Sequence, residues 1–310
     1  MKGRVFPYLL LFLVSLALAY LASLPSKKDS GSQVWLDLDG HLDSLSFRDE
    51  RVEIKIDFHT KVVDLTDLKS KKPVSHLFLG NDGLVELKKQ IETMRAIKTI
   101  GNFADINQEE YGFQSDSSKF LSLKMRNESY KFDIGKRSFQ SPHIYLHDLN
   151  RKKVILVSNV FIRSMQNAKS QLIERRLIQA ELGSEVSSIQ LNHKEKVFTL
   201  VPGEGASSNG LWMIKGREPS NKGVTNWIKK LMGLRVKSYV KKEDVSSALS
   251  IAPILLIRIN LIDGNAEELL VYRDSIDEPK EYIIHKDTQE LLPLLDLDKL
   301  KTLLDDLEEF

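Results

Sequence analysis

The order of hydrophobic and polar positions begins with one continuous apolar segment and then changes to short periodic runs. Residues Phe6–Leu24 carry no charge and number about 19, close to what a helix needs to cross a bilayer. The next stretch, 26–33, is polar and has the composition of a flexible linker. The pattern predicts an N-terminal transmembrane helix over 1–25, then a linker with a possible first strand over 26–44.

The apolar segment fits either an uncleaved signal anchor or a cleaved secretory signal. Ala17-Leu18-Ala19 has the small-x-small pattern of a cleavage site, and cleavage there would release a secreted body. We favour the anchor because the apolar run continues beyond this site to Leu24. A long C-terminal domain follows such a leader across the membrane largely regardless of charge. We therefore expect a single-pass protein of the bacterial inner membrane with its body in the periplasm.

Alternating hydrophobic and polar positions predict short strands in the first half of the chain. The clearest is Val52–Phe58, where apolar residues alternate with charged ones, and Val62–Leu65 is its expected partner. A possible earlier strand is Val34–Leu38. Further strands are predicted at 121–125, 130–134, 143–146 and 154–157. Because short turns join these strands, we expect mainly antiparallel sheets.

Helical spacing of apolar residues predicts two helices among these strands. The first has Asp82 as its N-cap and ends at Gly101-Asn102. The second begins at Ser158 or Asn159. The apolar faces consist of Leu84, Leu87, Ile91, Met94 and Ile97 in the first helix, and of Phe161, Met165, Ala168 and Leu172 in the second.

The second half of the chain repeats this order of predicted elements. Its strands are predicted at 189–191, 197–199, 211–214, 257–261, 269–272, 282–284 and 291–295. Its helices carry Val224, Trp227, Ile228, Leu231 and Leu234, and finally Leu297, Leu300, Leu304, Leu307 and Phe310.

A shift of about 136 residues aligns the two halves, and such self-similarity is typical of a duplicated unit. The shift places Ile54 near Ile189, Met94 near Leu231, Leu123 near Ile259, Tyr145 near Tyr282 and Phe161 near Leu297. The sequence therefore predicts an α+β fold with two similar units, 45–180 and 181–310, each a mainly antiparallel sheet with packed helices.

Composition excludes several classes of chemistry and partner. The 310 residues contain 45 Lys and Arg against 43 Asp and Glu, and two of the cations, Lys2 and Arg4, belong to the leader. A neutral body offers no electrostatic footprint for nucleic acid, so we expect no nucleic-acid partner. The chain has no cysteine, which excludes disulfides, thiol catalysis, cysteine zinc sites and a lipidated N-terminal cysteine.

Two patterns could hold a metal ion, and neither is complete. Asp37–Asp43 has carboxylates at alternate positions, as in a calcium loop, but it lacks the remaining ligand spacing and the bidentate glutamate. His143 and His147 would share one face of a strand, but no third ligand is identifiable. We interpret the first as a solvated turn and the histidines as hydrogen-bonded or exposed. We assign no catalytic, metal-binding or cofactor-binding residue and expect no cofactor.

Three further features have plain structural explanations. The glycine-rich loop 202–210 has neither a phosphate-binding nor a nucleophile-elbow ending, and it links two predicted strands as a hairpin loop would. Trp212 and Trp227 lie on a strand and a helical stripe, which predicts core packing. The basic segment 229–242 could contact acidic lipid or a partner, or could form the solvated side of a buried helix.

The two helices that close the predicted units differ in charge. Basic residues lie in the first of these helices or just after it, and acidic residues lie in the last helix. The cations are Lys169, Arg175 and Arg176; the carboxylates are Asp296, Asp298, Asp305, Asp306, Glu308 and Glu309. Opposite charge could dock the two halves on each other or mark faces for different partners.

Several short motifs carry a resemblance to a known family. Beside the leader they are Glu110-Tyr111-Gly112-Phe113, Phe132-Asp133-Ile134-Gly135, His143-Ile144-Tyr145-Leu146, Val154–Val157, Arg175-Arg176-Leu177, Val186–Leu191 and Leu211-Trp212-Met213-Ile214. Over most of residues 45–310 the chain resembles a bacterial family of membrane-anchored, duplicated α+β proteins of unknown function. Genes of this family typically lie beside gliding-motility-type ABC transporter and auxiliary genes. This chain departs from the family pattern at Phe78, where a tryptophan is expected.

The resemblance implies export and work beside a membrane transport complex, and it implies no catalytic residues. We expect a non-enzymatic, membrane-anchored accessory protein of the cell envelope that binds protein partners of an ABC-type transport or gliding-type system. The alternative is a module that binds an envelope polymer or a small ligand in a groove between the two units. A third, less favoured hypothesis is a periplasmic hydrolase with a site assembled from scattered Asp, Glu, His and Ser.

Overall fold

The computed structural model describes residues 33–37, 41–113, 119–126, 128–182, 184–203, 211–217, 222–275, 280–286 and 289–308. These residues form an α+β protein with two sheets and a few helices. The sequence prediction of mainly antiparallel sheets is confirmed. The predicted transmembrane segment Phe6–Leu24 lies outside the described residues. Within the described ranges, no helix combines the length and the apolar character needed to span a membrane.

The first sheet has ten strands, and the same part of the chain contains three α-helices. The strands are β1 (Gln33–Val34), β2 (Leu42–Arg48), β3 (Val52–Asp57), β4 (Val62–Asp67), β5 (Val74–Leu79), β6 (Arg95–Asn102), β7 (Phe120–Met125), β8 (Glu128–Arg137), β9 (His143–Asp148) and β10 (Lys153–Ser158). The helices are α1 (Asp82–Glu92), α2 (Val160–Gln166) and α3 (Ala168–Gln171). The strands lie in the order β1-β6-β10-β9-β8-β7-β2-β3-β4-β5. We call this sheet with its helices the first unit.

The second sheet has eight strands and also three helices. The strands are β11 (Val186–His193), β12 (Lys196–Pro202), β13 (Trp212–Ile214), β14 (Ser238–Lys241), β15 (Leu255–Leu261), β16 (Ala266–Arg273), β17 (Glu281–His285) and β18 (Leu291–Asp296). The helices are α4 (Lys222–Met232), α5 (Ser246–Leu249) and α6 (Leu297–Glu308). The strands lie in the order β13-β12-β11-β15-β16-β17-β18-β14. This sheet with its helices is the second unit.

Eight strands of the first sheet follow the same order as the eight of the second. In spatial order across each sheet, they are β4-β3-β2-β7-β8-β9-β10-β6 and β13-β12-β11-β15-β16-β17-β18-β14. The helices fit the same scheme, because α1 and α4 precede β6 and β14, and α2 and α6 follow β10 and β18. This order makes β2 the counterpart of β11, so the constant shift that placed Ile54 of β3 near Ile189 of β11 pairs the wrong strands there.

Each unit buries one face of its sheet against its helices, and part of the other face is covered by the segment after β6 or β14. In the first unit α1 and α2 supply Leu87, Ile91, Phe161 and Met165 to a core that includes Leu45, Phe47, Ile54 and Phe132. In the second unit α4 and α6 supply Trp227, Leu231, Leu300 and Leu307 to a core that includes Ile189, Leu191 and Ile257. A smaller cluster on the other face of the second sheet contains Ala248 of α5 with Tyr272, Ile283 and Leu292.

The chain enters the first unit through β1 and a firmly held tryptophan. The backbone N–H groups of Trp35 and Leu36 both donate to the carbonyl oxygen of Met94, at 2.8 and 3.0 Å. The indole N–H of Trp35 donates to the fully buried carboxylate of Asp148 at 2.8 Å. Arg151 stacks its guanidinium on the indole at 4.7 Å and donates to the Trp35 carbonyl oxygen. Of the predicted strand Val34–Leu38, Leu38 lies outside the described residues, and among the others only Val34 is in a strand, Gln33–Val34. We call the contacts of Trp35 with Met94, Asp148 and Arg151 the Trp35 clamp.

The first predicted helix is shorter than the sequence indicated. Its N-cap is Asn81, whose side-chain oxygen accepts from the N–H of Gly83, and not Asp82. Leu84, Leu87 and Ile91 form its buried face, as predicted, but the helix ends at Glu92. The following residues form β6, so Gly101-Asn102 ends a strand and not a helix. Met94 is buried after the helix end, whereas Ile97 is 36% exposed.

Most of the remaining predictions of secondary structure hold, although α4 ends at Met232, before the predicted position Leu234, and Phe310 of the last predicted helix lies outside the described residues. The four apolar positions of the second predicted helix are all buried, but the helix is divided into α2 and α3 at Asn167. Phe78, where the resemblance predicted a tryptophan, is 2% exposed in the first core. The strands that the sequence analysis did not predict are β2, β5, β6 and β14.

Candidate binding site at the junction of the two units

The acidic stretch Asp37–Asp43 is used at its described end to hold a turn. The carboxylate of Asp43 accepts the N–H of Arg126 and contacts Nε2 of His59 at 2.9 Å. Mainly through this hydrogen bond, His59 lowers the pKa of Asp43 below its ordinary value. Residues 38–40 lie outside the described part. The described ranges contain no group of three or more His, Asp or Glu side chains placed to hold a metal ion.

The two histidines of the HIYLH sequence each have a local partner. His143 contacts the hydroxyl of Ser141 at 2.6 Å through Nδ1. His147 is buried, lies 3.1 Å from the carboxylate of Asp133, and stacks on the ring of Phe103 at 3.6 Å between centroids. Their predicted role as hydrogen-bonded histidines is confirmed.

Three of the motifs that carry the resemblance, 110–113, 132–135 and 143–146, meet on the outer face of the first sheet. Tyr111 packs edge-on against Tyr145, and Phe113 lies edge-on to His147. Gly135 of β8 leaves the space that the Tyr111 carbonyl oxygen and the Phe113 ring occupy. These motif residues therefore fasten the segment 103–113 to β8 and β9, and their role in the structure is packing.

The glycine-rich loop and the tryptophans also have the structural roles that were predicted. Strands β12 and β13 pair directly, from Leu200 with Ile214 to Pro202 with Trp212, so the loop joins a hairpin, although residues 204–210 lie outside the described ones. Trp212 and Trp227 are 6% and 1% exposed in the second core. The basic segment 229–242 is the end of α4 followed by β14, and not one helix.

Three of the charged residues on or after the two closing helices form ion pairs without crossing between the units. Arg176 lies 3.6 Å from Asp82, Asp306 lies 2.6 Å from Lys230, and Glu308 contacts Lys194. The hydrogen bond from Lys194 lowers the pKa of Glu308. The ion pairs seen among the described residues therefore do not dock one unit on the other, contrary to the first of the two interpretations of these charges.

The units are joined instead by the segment Leu172–Ile178, which we call the connecting segment. Leu172 and Ile173 are buried in the first core, and Leu177 and Ile178 in the second. Its backbone forms hydrogen bonds with both units. The N–H of Glu174 donates to the carbonyl oxygen of Leu79 at 2.7 Å, and the N–H of Val236 donates to that of Arg175 at 2.8 Å. The two units thus share hydrogen bonds through one short segment.

Tyr239 of β14 packs against both cores and strengthens this connection. Its hydroxyl donates to the carbonyl oxygen of Glu174 at 2.7 Å, and its ring contacts both hydrophobic clusters. Burial, with a smaller contribution from the nearby negative charge of Glu174, raises the pKa of Tyr239 far above its ordinary value of 10.0. The tyrosine therefore remains a neutral hydrogen-bond donor.

A cavity of about 460 Å³ lies at this junction and is walled by both units. Most of its polar groups are already bonded: Glu174 accepts from the N–H of Arg176 at 2.7 Å, and the ammonium of Lys286 donates to Leu177 and contacts Glu267. Lys61 has no ion partner, and the buried Oε1 of Gln289 has no donor, among the described residues. This cavity, which we call the junction cavity, has room for a small ligand.

A second opening of about 570 Å³ adjoins the junction cavity and shares Val62, Glu290 and Leu291 with it. We call it the junction groove. Val62, Leu77 and Leu291 form its apolar floor, and Lys241, Lys242, Glu243, Ser246 and Glu290 lie at its rim. The sequence analysis put forward a groove between the two units as one alternative, and it noted Arg176 and the basic segment that contains Lys241 and Lys242. It did not identify the other lining residues as a site, because the walls come from distant parts of the chain.

No family model, no curated protein and no solved structure matches this chain. The resemblance drawn from the motifs therefore stays a prediction.

Proposed function

We propose that this chain is a non-enzymatic, membrane-anchored accessory protein of the bacterial cell envelope that binds protein partners. The observation that carries this proposal is the junction, where two sheets are fixed to each other and leave a groove with an apolar floor and a charged rim. Such a preformed concave surface suits recognition of a partner. The family resemblance supports an ABC-type transport or gliding-type system as the source of the partner.

We also propose that the two units arose by duplication and that residues 1–25 anchor them to the inner membrane. Identical order of eight strands in each sheet supports the duplication. The length and apolar character of Phe6–Leu24 support the anchor. The body would then lie in the periplasm, and protease added to spheroplasts should digest it while sparing a cytoplasmic marker. Protection of the body would contradict this placement.

Affinity purification tests the partner proposal. The full-length protein, gently crosslinked in its native membranes and purified, should co-isolate subunits of a transport complex. A second bait, with residues 1–25 exchanged for an unrelated single-pass anchor, controls for proteins that co-purify through the membrane alone. Recovery of both baits without any shared specific partner would contradict the proposal.

The junction cavity favours a second candidate function, binding of an envelope polymer or a small ligand. Lys61 offers a free ammonium and Gln289 a buried amide oxygen, so a ligand with both an anionic group and a hydrogen-bond donor would satisfy both. The purified body should then sediment with cell-wall material, and Lys61→Ala should reduce the bound fraction. Lys98→Ala, an exposed lysine on β6, is the matched control. Equal sedimentation of both variants would reject this candidate.

A further inference from the structure

We propose that the junction groove binds an extended, acidic segment of a partner polypeptide, which adds to the edge of the first sheet beside β5. This inference rests on the proposed interaction function and specifies its site, its geometry and the chemistry of the partner. Strand addition to an exposed sheet edge is a general mode of peptide recognition, in which backbone hydrogen bonds give affinity and side-chain pockets give specificity.

On the side that faces away from β4, β5 has no neighbouring strand in its sheet, although β14 of the second unit comes close to it. The N–H of Gly80 donates to the carbonyl oxygen of Lys61 on the β4 side, whereas the carbonyl oxygen of Leu79 accepts from Glu174 on the opposite side. Because the direction of backbone groups alternates along a strand, those of Leu77 and Ser75 also point away from β4. No strand of the described chain pairs with β5 on that side beyond Leu79.

The chain itself already uses this edge over a short distance. Ile173 forms an antiparallel bridge with Gly80, and the N–H of Asn81 donates to the carbonyl oxygen of Leu172 at 2.8 Å. After Glu174 the connecting segment leaves β5 and bridges from Arg176 to Arg235. The junction groove begins beside Leu77, where this pairing stops. A partner segment would therefore continue a strand pairing that the protein has started.

The charges around this edge indicate an acidic partner. The turn between β4 and β5 carries three exposed lysines, Lys69, Lys71 and Lys72, and none has an ion partner among the described residues. At the groove rim the ammonium of Lys241 is 3.2 Å from the carboxylate of Glu243. The backbone N–H of Lys242 donates to the carbonyl oxygen of Glu290. The positive and negative charges at the rim are therefore equal in number, whereas the turn that leads into β5 is positively charged. Lysines beside an edge strand also repel another copy of the same edge, which disfavours self-association there.

A defined peptide tests binding chemistry directly. The probe is a ten-residue strand-forming peptide of alternating Val and Thr with an Asp-Glu-Asp end, compared with the same peptide carrying a Lys-Arg-Lys end. The full chain in detergent should bind the acidic probe at least about tenfold more tightly, with affinity that falls as salt rises. Equal binding of both probes, or binding of neither, would overturn the proposal.

Two variants locate the site. Leu77→Pro removes the N–H that points away from β4 and leaves the hydrogen bonds to β4 in place, since those are made by the neighbouring residues, so it should abolish probe binding. Leu77→Thr keeps this N–H and is its control. Lys71→Glu with Lys72→Glu should weaken binding by at least about tenfold, whereas Lys152→Glu with Lys153→Glu on the β9–β10 turn should not. Circular dichroism shows whether the Leu77→Pro variant has folded. If it has not, the test rests on the variant with Lys71→Glu and Lys72→Glu, whose substitutions are at exposed positions. Wild-type affinity of that variant for the acidic probe would refute the site.

A photo-reactive residue at Ser75 of the membrane-embedded protein separates this inference from the proposed function. Crosslinks should map to an extended acidic segment of another protein and disappear in the double charge reversal. Crosslinks between two copies of this chain would overturn the inference. If transport subunits still co-purify with the charge-reversed protein at wild-type level, the proposed function stands and the strand-addition site falls. If nothing co-purifies with the wild type, the proposed function itself fails.

Discussion

The hydroxyl of Tyr239 donates a 2.7 Å hydrogen bond to the backbone carbonyl oxygen of Glu174. This contact joins an edge strand of the second sheet to the segment that leaves the first sheet. Tyr239→Phe removes the hydrogen bond but keeps the ring, so the free energy of unfolding should fall by about 0.5–1.5 kcal/mol. Tyr239→Ala also removes the ring and should cost about 3 kcal/mol. Urea unfolding measures both, and equal losses would show that the hydroxyl, not ring packing, dominates.

The raised pKa of Tyr239 predicts a loss of stability at alkaline pH. Because the folded state disfavours the phenolate, this tyrosine contributes stability that is complete below its ordinary pKa of 10.0 and is lost as the pH rises through the raised folded value. Tyr239→Phe should therefore flatten the decline in unfolding free energy that begins at about pH 10 and continues above it.

A matched tyrosine controls for the general effect of alkali. Burial also raises the pKa of Tyr282, which lies in β17 away from the connecting segment. Tyr282→Phe should leave the contribution of Tyr239 in place, so some alkaline decline should persist. An identical pH profile for wild type and Tyr239→Phe would contradict the role assigned to Tyr239.

Two glycine substitutions should have opposite effects on stability. A Cβ at Gly135 would overlap the carbonyl oxygen of Tyr111 and press on the Phe113 ring, so Gly135→Ala should destabilise by about 1–3 kcal/mol. Gly223 in the first turn of α4 has open space around it, and Gly223→Ala should stabilise by about 0.4–1 kcal/mol through its effect on the unfolded chain. Thermal unfolding measures whether each substitution raises or lowers the stability. An increase in stability with Gly135→Ala would disprove the packing described for the 103–113 segment.

The bond between Trp35 and Asp148 should show strong energetic coupling. Both side chains are buried, and the carboxylate also accepts the backbone N–H groups of Asn150 and Arg151. Trp35→Phe removes the indole donor and Asp148→Ala removes the acceptor, and the double variant should be more stable than the sum of the single effects predicts by about 1–3 kcal/mol. A double-mutant cycle measured by urea unfolding gives this value, and additivity would mean that the bond contributes little.

The sequence was sufficient for strands with regular alternation and for helices with a complete apolar stripe. β3 shows this well, because Val52, Ile54 and Ile56 face the core while Lys55 and Asp57 face solvent. The helix α1 was extended too far because Met94 and Ile97 happen to continue its spacing. Thr93 ends the helix, and the next residues become a strand because β6 pairs with β10. Tertiary contacts overrode local periodicity there.

The junction could not be predicted from local pattern. Strand β14 contains only half-buried residues and one exposed lysine, so it lacks the alternation that reveals a strand. The groove depends on where the connecting segment leaves β5, which is decided by backbone hydrogen bonds between residues far apart in the chain. The basic pair Arg175-Arg176 was noticed for its charge, but its position between two sheets required the fold.

The Trp35 clamp has a mechanical consequence. It fixes the incoming chain at β1, the terminal strand of the first sheet, while β5 and the second unit lie at the opposite end of the same strand order. If residues 1–25 are held in a bilayer, the β1 end of the first sheet would be tethered to the membrane, and the β5 end with the second unit would lie farther from it. A force applied through residues 1–25 would act first on β1 and its short pairing with β6. It would reach the connecting segment between the units last.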